Sequence, residues 1–412
     1  MIFTDEFFSA SDSNTANLVR LVDSHTNEDV NFKRITSWID GTAMDDTKVD
    51  HIIYRKKMDS GGSPFYYVRT DVTAGDLDVR IFGVKADDIN DDTSALQAAF
   101  NMACKLGLNI LLPAGIMKTT QGLLLDFSWQ GTIKNRIQII GKGLGNSVIK
   151  NYGPTSVALF IKGPADPSRP PYFSVSDLTI TKPTGETRYG VGLLIHDFIG
   201  AEVNNIEISN YDIGFQLVNV CNAQISFLVS KSCNYGMYNE RTINPLGFTY
   251  PNLLNFRNCS FLGNVKFGAV IIAGHAVKFD SCGFEGNFGV GLQFTFAGYN
   301  GREALSLINN YFEGNANHDI YFETSSMTAL SLISNTFTKN IAGRASDVVV
   351  NNLSNDQVYM SSLSNAFGYY VNSNPEIPSY VPSASSKNIL YMGDPSKFHL
   401  LNNDMHQSSL ES

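Results

Sequence analysis

The sequence predicts an all-β solenoid: a single-stranded right-handed parallel β-helix with an N-terminal capping helix and small terminal modules. Three observations predict it. A four-residue phrase recurs, since Phe284-Glu285-Gly286-Asn287 and Phe312-Glu313-Gly314-Asn315 are identical. Weaker copies flank them at Phe261-Leu262-Gly263-Asn264 and Phe337-Thr338-Lys339-Asn340, with spacings of 23, 28 and 25 residues between the phenylalanines. Self-similarity at such a period marks a repeat architecture. The residues between the copies alternate apolar and polar, as in Val277-Lys278-Phe279-Asp280 and Ala304-Leu305-Ser306-Leu307, which is the period of a strand. Finally, the chain is 43% hydrophobic and only 17% charged, as expected where successive coils bury one another.

Equivalent residues of stacked coils should form ladders at the strand spacing of about 4.8 Å. Five positions before each phenylalanine stand Phe256, Phe279, Leu307 and Leu332, and two positions before it Cys259, Cys282, Asn310 and Asn335. The expectation is a Phe ladder and a Cys/Asn ladder, inside or at the corners. Gly263, Gly286 and Gly314 suit bends with positive φ. A leucine-rich repeat would need its Leu-rich consensus, which is absent. A propeller would need a longer period, about 40 residues.

Along the chain, residues 1–75 form a β-rich cap or attachment module. Thr36–Gly41 and His51–Arg55 are expected as short strands, with Ser60–Pro64 turning into a return strand at Phe65–Arg69. Residues 76–350 are the expected solenoid. It opens with a strand over Asp78–Asp87. Next, Asn90-Asp91-Asp92-Thr93 caps a helix from Ser94 to Leu106, with Leu96, Ala99, Phe100 and Ala103 on one face, and Gly107 stops it. Leu108–Leu112 then reads as a strand. Further strands are expected at Ile137–Gly141, Val175–Ile180 and Val203–Ile208. Two loops break the period, Gly163–Pro171 and Glu240–Tyr250. The repeat fades after about 345, so residues 351–412 read as a C-terminal module or trimerisation region.

The formal net charge of −9, with no basic stripe, argues against a nucleic-acid partner. No run of eighteen apolar residues is present, which argues against a membrane span. The first residues lack the basic and apolar regions of a signal peptide. Five cysteines without a C-x-x-C pair argue against zinc and against a disulfide framework. Cys233, Cys259 and Cys282 follow at 26 and 23 residues and are expected as a stack of buried free thiols. No Asp cluster, P-loop or dinucleotide fingerprint appears, so neither metal nor cofactor is expected.

The order strand, Phe82-Gly83, Asp91-Asp92-Thr93, amphipathic helix, strand, Pro113-Ala114-Gly115 resembles the entry segment of the pectate-lyase-like β-helix superfamily. It is most similar to bacteriophage tailspikes and related polysaccharide depolymerases, where Phe-Glu-Gly-Asn is also common. The resemblance covers residues 78–120 well. It departs at Ala86-Asp87-Asp88 and Ile116-Met117. It implies binding and cleavage of a bacterial capsular, exo- or lipopolysaccharide and a parallel homotrimer. It also implies attachment to a virion or tail protein through the N-terminal module, and so a place on a virion tail or outside a cell. One fold hosts hydrolases, lyases and non-enzymatic fibres, so a receptor-binding spike or adhesin and a polysaccharide lyase stay open beside a glycoside hydrolase.

Hydrolysis of a glycan needs two carboxyl groups flanking the bond. A parallel β-helix supplies such pairs on adjacent coils, which makes Glu285 and Glu313, with Asp280 upstream, candidate catalytic residues. Their recurrence equally suits a structural role at a corner. The second catalytic candidate is Glu240, opening the longest loop, with Arg241, Tyr238 and Tyr250 as candidate substrate-binding residues. Arg241 with Tyr238 would also suit lyase chemistry.

Overall fold

The computed structural model describes residues 2–11, 16–38, 41–72, 75–127, 136–154, 157–164, 172–185, 187–242, 251–296, 303–325, 328–339, 346–353, 357–369, 387–392 and 394–403. Two large sheets of parallel strands wrap one continuous apolar core. One has twenty strands and the other ten. In the later coils the long sheet receives two strands joined at a two-residue corner, then one strand goes to the ten-stranded sheet. The coil carrying the first identical phrase runs Ala276–Asp280, Gly283–Glu285, then Val290–Phe296. Corner residues have positive φ in coil after coil: Asn258, Ser281, Asn309, Ser334 and Ser364 lie between 52° and 58°. A second corner column contains Gly263, Gly286 and Gly314, at 57°, 61° and 65°, which is the conformation a residue without Cβ tolerates best.

The expected ladders are present. Phe261, Phe284, Phe312, Phe337 and Phe367 stack with ring centroids 5.1, 4.9, 5.0 and 4.8 Å apart. Phe256 and Phe279 form a second stack at 4.4 Å. Each buried ring contributes on the order of 1.5–3 kcal/mol, so the column is a large share of local stability. At one corner, Cys259, Cys282, Asn310, Asn335 and Asn365 succeed one another. Asn310 Oδ1 accepts from the backbone N–H of Cys282, Asn335 from Asn310 and Asn365 from Asn335, all at 2.9 Å. The last residue of the repeated phrase builds the other ladder: Asn264 and Asn287 each donate to the next asparagine, Asn287 and Asn315, at 2.9 and 2.8 Å. Cys233 is buried and free as expected, but it heads this second ladder, its N–H donating to Asn264 Oδ1. Register overrides spacing here: Lys231 pairs with Leu262, and two residues on Cys233 meets Asn264, whereas Cys259 aligns with Leu228.

The second ladder requires a column of glycines in the ten-stranded sheet. A Cβ on Gly236, Gly268 or Gly291 would stand 2.7–2.9 Å from the carboxamide of Asn264, Asn287 or Asn315 and 2.4–2.8 Å from a backbone carbonyl of the next coil.

At the N-terminal end, Leu18–Val22, Asp29–Ile35, Pro64–Arg69 and Tyr54–Met58 form an antiparallel sheet behind a short helix, Thr4–Ser9. The first hairpin strand starts three residues later than expected, because Asp50 accepts from the N–H groups of Ile52, Ile53 and Tyr54 and turns the chain there. Of the strand expected over Thr36–Gly41, the described residues show an isolated bridge, Ser37 to Ala43, and residues 39–40 lie outside the described residues. The strand expected over Asp78–Asp87 stops at Asp78, whose side chain accepts from Arg80 N–H and starts a 3-10 turn, Val79–Phe82. The capping helix runs Thr93–Leu106, with Leu96, Ala99, Phe100 and Ala103 buried and Gly107 left-handed at its end. Asp92 does not cap this helix with its side chain; it accepts instead from the backbone of Lys85 and Ala86, at 2.7 and 3.0 Å. Past residue 350 the repeat fades in sequence but not in pairing: Val358–Leu363 and Phe398–Asn403 remain parallel neighbours.

Asn287→Ala strips the corner N–H of Asn264 and the carbonyl of Phe261 of partners. It is expected to lower the unfolding free energy by about 2–4 kcal/mol, read as a reduced denaturant midpoint. Gly268→Ala should destabilise the same place by steric conflict, since the carbonyl it meets is backbone and cannot swing away.

Candidate functional site

Strand alternation decides which side chains face solvent. With Phe284 and Phe312 inward, Glu285 and Glu313 point out from Gly283–Glu285 and Tyr311–Glu313. These strands are direct parallel neighbours in register, Glu285 opposite Glu313. The two carboxylates therefore rise from backbones one strand spacing apart, about 4.8 Å. Glu285 is half-buried, and burial, then the charge of Glu313, raises its carboxyl above the ordinary glutamate range. Glu313 accepts a hydrogen bond from the Tyr311 hydroxyl at 2.8 Å. Burial and that hydrogen bond in turn push the Tyr311 phenol up. Three residues beyond Glu285, past the left-handed corner at Gly286, Phe288 is 69% exposed.

The remaining predicted residues lie elsewhere. Asp280 precedes the corner at Ser281, and Lys278, hydrogen-bonded to it at 2.9 Å, holds its carboxyl below the usual range. Glu240 ends Tyr235–Glu240 in the other sheet, where Gln216 donates to it at 2.9 Å. Tyr238 stands on that strand against Tyr235, and burial followed by the charge of Glu240 raises its phenol, which leaves less phenolate to act as a base. Arg241 follows directly. Tyr250 and the loop residues 243–250 lie outside the described residues, as do 165–171. The other acids of the middle coils are dispersed: Glu202 meets Arg136, Glu207 meets Lys231, and Asp197 meets His196. Tyr311 and Phe288 do not stand out in the sequence. For Tyr311 a signal exists in period two, since it alternates outward with Glu313.

No protein-family profile matches the chain. Similarity to curated proteins is confined to one short segment. Mannuronan C5-epimerase AlgE2 and alginate lyase 7, both of Azotobacter vinelandii, are each 38% identical over 78 residues, 18% of this chain. The match spans only 8% and 9% of those relatives. Structural similarity is far broader. The tailspike gp49 of Acinetobacter baumannii bacteriophage Fri1, a capsular polysaccharide depolymerase, superposes with a TM-score of 0.54 at 10% identity, over 100% of this chain and 77% of that one. Tailspike protein 2 of the Escherichia coli O157:H7 bacteriophage CAB120 gives 0.55 at 12% identity, over 85% and 52%. ORF18 of Geobacillus virus E2 gives 0.54 at 17% identity, over 76% of this chain and 65% of that one.

The raised carboxyl of Glu285 has a consequence for stability. A carboxyl with a folded-state pKa above its unfolded value leaves stability intact below the unfolded value, near 4.3, and loses it as pH rises through the folded value. Glu285→Gln should therefore melt at a higher temperature than the parent at neutral pH, with the difference vanishing in acid; a pH series of melting curves reads this directly. Taken together, the in-register parallel sheets and these superpositions give the chain a right-handed parallel β-helix fold, similar to that of the bacteriophage tailspikes it superposes on.

Proposed function

We propose that this protein binds and hydrolyses a bacterial surface polysaccharide, with Glu285 and Glu313 as the catalytic pair. The observation that carries the reading is their direct register on adjacent strands. Paired carboxyls about 5–5.5 Å apart belong to retaining glycosidases, and inverting ones need about 6.5–9.5 Å. One strand spacing favours the retaining case. Glu285, raised by burial and by its neighbour, is the acid that protonates the glycosidic oxygen. Glu313, oriented by Tyr311, attacks the anomeric carbon to form a glycosyl ester. Water then hydrolyses the ester as Glu285 takes back a proton. Tyr311, hydrogen-bonded to Glu313, offers a ring beside the carboxylates on which a sugar face stacks.

The polysaccharide substrate is supported from two sides. A tailspike of like fold is described as a capsular polysaccharide depolymerase. The segmental relatives are described as acting on alginate or mannuronan. A capsular, exo- or lipopolysaccharide is the substrate class that fits, with a homotrimer carried on a virion tail through the N-terminal module as the assembly. Glu240, engaged by Gln216, and Asp280, engaged by Lys278 and Ser281, take no part in bond cleavage in this scheme.

Glu285→Gln and Glu313→Gln are each expected to lower kcat by about 10²–10⁴-fold, measured as new reducing ends from polysaccharide, while Glu240→Gln and Asp280→Asn stay within a few-fold. The product should keep the anomeric configuration of the substrate by proton NMR. An unsaturated product absorbing in the ultraviolet would identify a lyase and overturn the scheme. Binding without any product would leave a receptor-binding spike. The activity profile should be bell-shaped on the acid side of neutrality, and its alkaline limb, set by Glu285, should disappear in Glu285→Gln.

A further inference from the structure

A broad concavity on the solenoid flank lies off the carboxylate pair, on the stretch of the long sheet that precedes the corner. It has a volume of about 540 Å³. Its floor is a column of alanines in direct register, Ala276, Ala304 and Ala329, all facing outward. The next position in that column is Tyr359, 38% exposed, which closes one end. Leu253, one coil before Ala276, closes the other end and is 56% exposed. The trough between these walls is about 19 Å long, four strand spacings along the solenoid axis.

Both walls are built. Tyr359 is fixed by stacking on His399, centroids 4.9 Å apart and rings 17° from parallel, and His399 is held by Gln357. Leu253 sits at φ 54°, a left-handed conformation rare for a branched apolar residue, in a column where earlier coils place Gly200 and Asn222. A strained leucine that gains no burial from its strain is a feature of sites rather than of cores. Beside the alanines runs a polar rail in the same register: Asn255, Lys278, Ser306, Ser331 and Ser361. Asn255 spends its amide on Gln224, and its side-chain carbonyl oxygen has no partner among the described residues.

We propose that this trough is a second, non-catalytic glycan-binding site that holds a short stretch of linear polysaccharide along the solenoid axis. The inference rests on the reading of the protein as a polysaccharide-binding one. A flat apolar floor accepts the C–H faces of pyranose rings, the rail presents a hydrogen-bonding group at every coil, and a fixed tyrosine terminates the row. A peptide is the poorer fit. The floor strands are paired on both sides, so no strand edge is free for backbone hydrogen bonding, and the floor has no deep pocket for an apolar anchor. Ala276 to Ser361 precede the corner and Glu285 and Glu313 follow it, so a polymer held here is gripped away from the cleavage point.

The test uses full-length protein carrying Glu313→Gln, to prevent cleavage, on an array of capsular, exo- and lipopolysaccharide oligosaccharides. Ala304→Trp, an outward substitution that fills the trough, and Tyr359→Ala should each weaken binding tenfold or more with the melting temperature unchanged. In the cleaving parent, Ala304→Trp should raise KM for long polysaccharide and leave kcat for a short oligosaccharide unaltered. Unchanged affinity and KM in Ala304→Trp overturn the proposal, as does an array on which nothing binds. A change only in sedimentation state overturns it too, and would make the trough a contact between copies. If Ala304→Trp abolishes binding while Glu285→Gln and Glu313→Gln leave cleavage intact, the trough stands and the catalytic pair falls. If cleavage needs the pair but ignores Ala304→Trp, the pair stands and the trough falls.

Discussion

A backbone N–H turned into the interior at a solenoid corner must find an acceptor, and here the acceptor is a carboxamide from the next coil. Asn264, Asn287 and Asn315 at one corner, and Asn310, Asn335 and Asn365 at the other, each satisfy the coil before them. Leaving such a group unpaired costs about 1–3 kcal/mol, so a slip of one residue anywhere would leave several groups unpaired at once. This is why the coils hold register although their lengths differ. Extra residues are accommodated between corners, not at them. The glycine column opposite the second ladder follows from the same constraint, because carboxamides that turn inward need room that a Cβ would take.

Register that is this strict makes the outer surface a lattice. Any residue type that recurs in an outward position of the repeat becomes a row with one member per coil. Two glutamates in such a row repel, and directly opposed like charges destabilise a sheet. Their retention at Glu285 and Glu313, with Glu285 half-buried and its carboxyl raised, goes against local stability. The neighbouring coils show that the position does not demand an acid: the same row carries Leu262 before the pair and Thr338 after it. A corner motif that needed glutamate for structural reasons would show it in those coils as well.

The same lattice suits a polymeric ligand. A linear glycan presents chemically similar units at regular intervals, and a row of equivalent side chains at about 4.8 Å meets them with little rearrangement. The floor of alanines between Leu253 and Tyr359 and the carboxylate pair beyond the corner are two products of one geometry. They differ only in what the outward positions carry.

The fold was legible in the sequence to an unusual degree, because a buried ladder requires the same residue at the same place in every coil. Phe284 and Phe312, and Asn287 and Asn315, can be paired from the repeated phrase alone. So can the facing of Glu285 and Glu313, since period two and a shared phrase determine both register and side. The capping helix was legible from its apolar face and terminal glycine. What stayed hidden was set by unequal coil lengths and by local carboxylates. Cys233 belongs with Asn264 rather than Cys259 because the intervening coil is longer. Asp50 and Asp78 turn the chain by accepting backbone N–H groups where alternation alone suggested strands. The sequence grouped Asp280, upstream, with Glu285 and Glu313 as one constellation, whereas the left-handed Ser281 puts a corner between Asp280 and Glu285. Spacing along a chain counts residues. Which of those residues share a surface depends on where the backbone bends, and only the tertiary structure decided that.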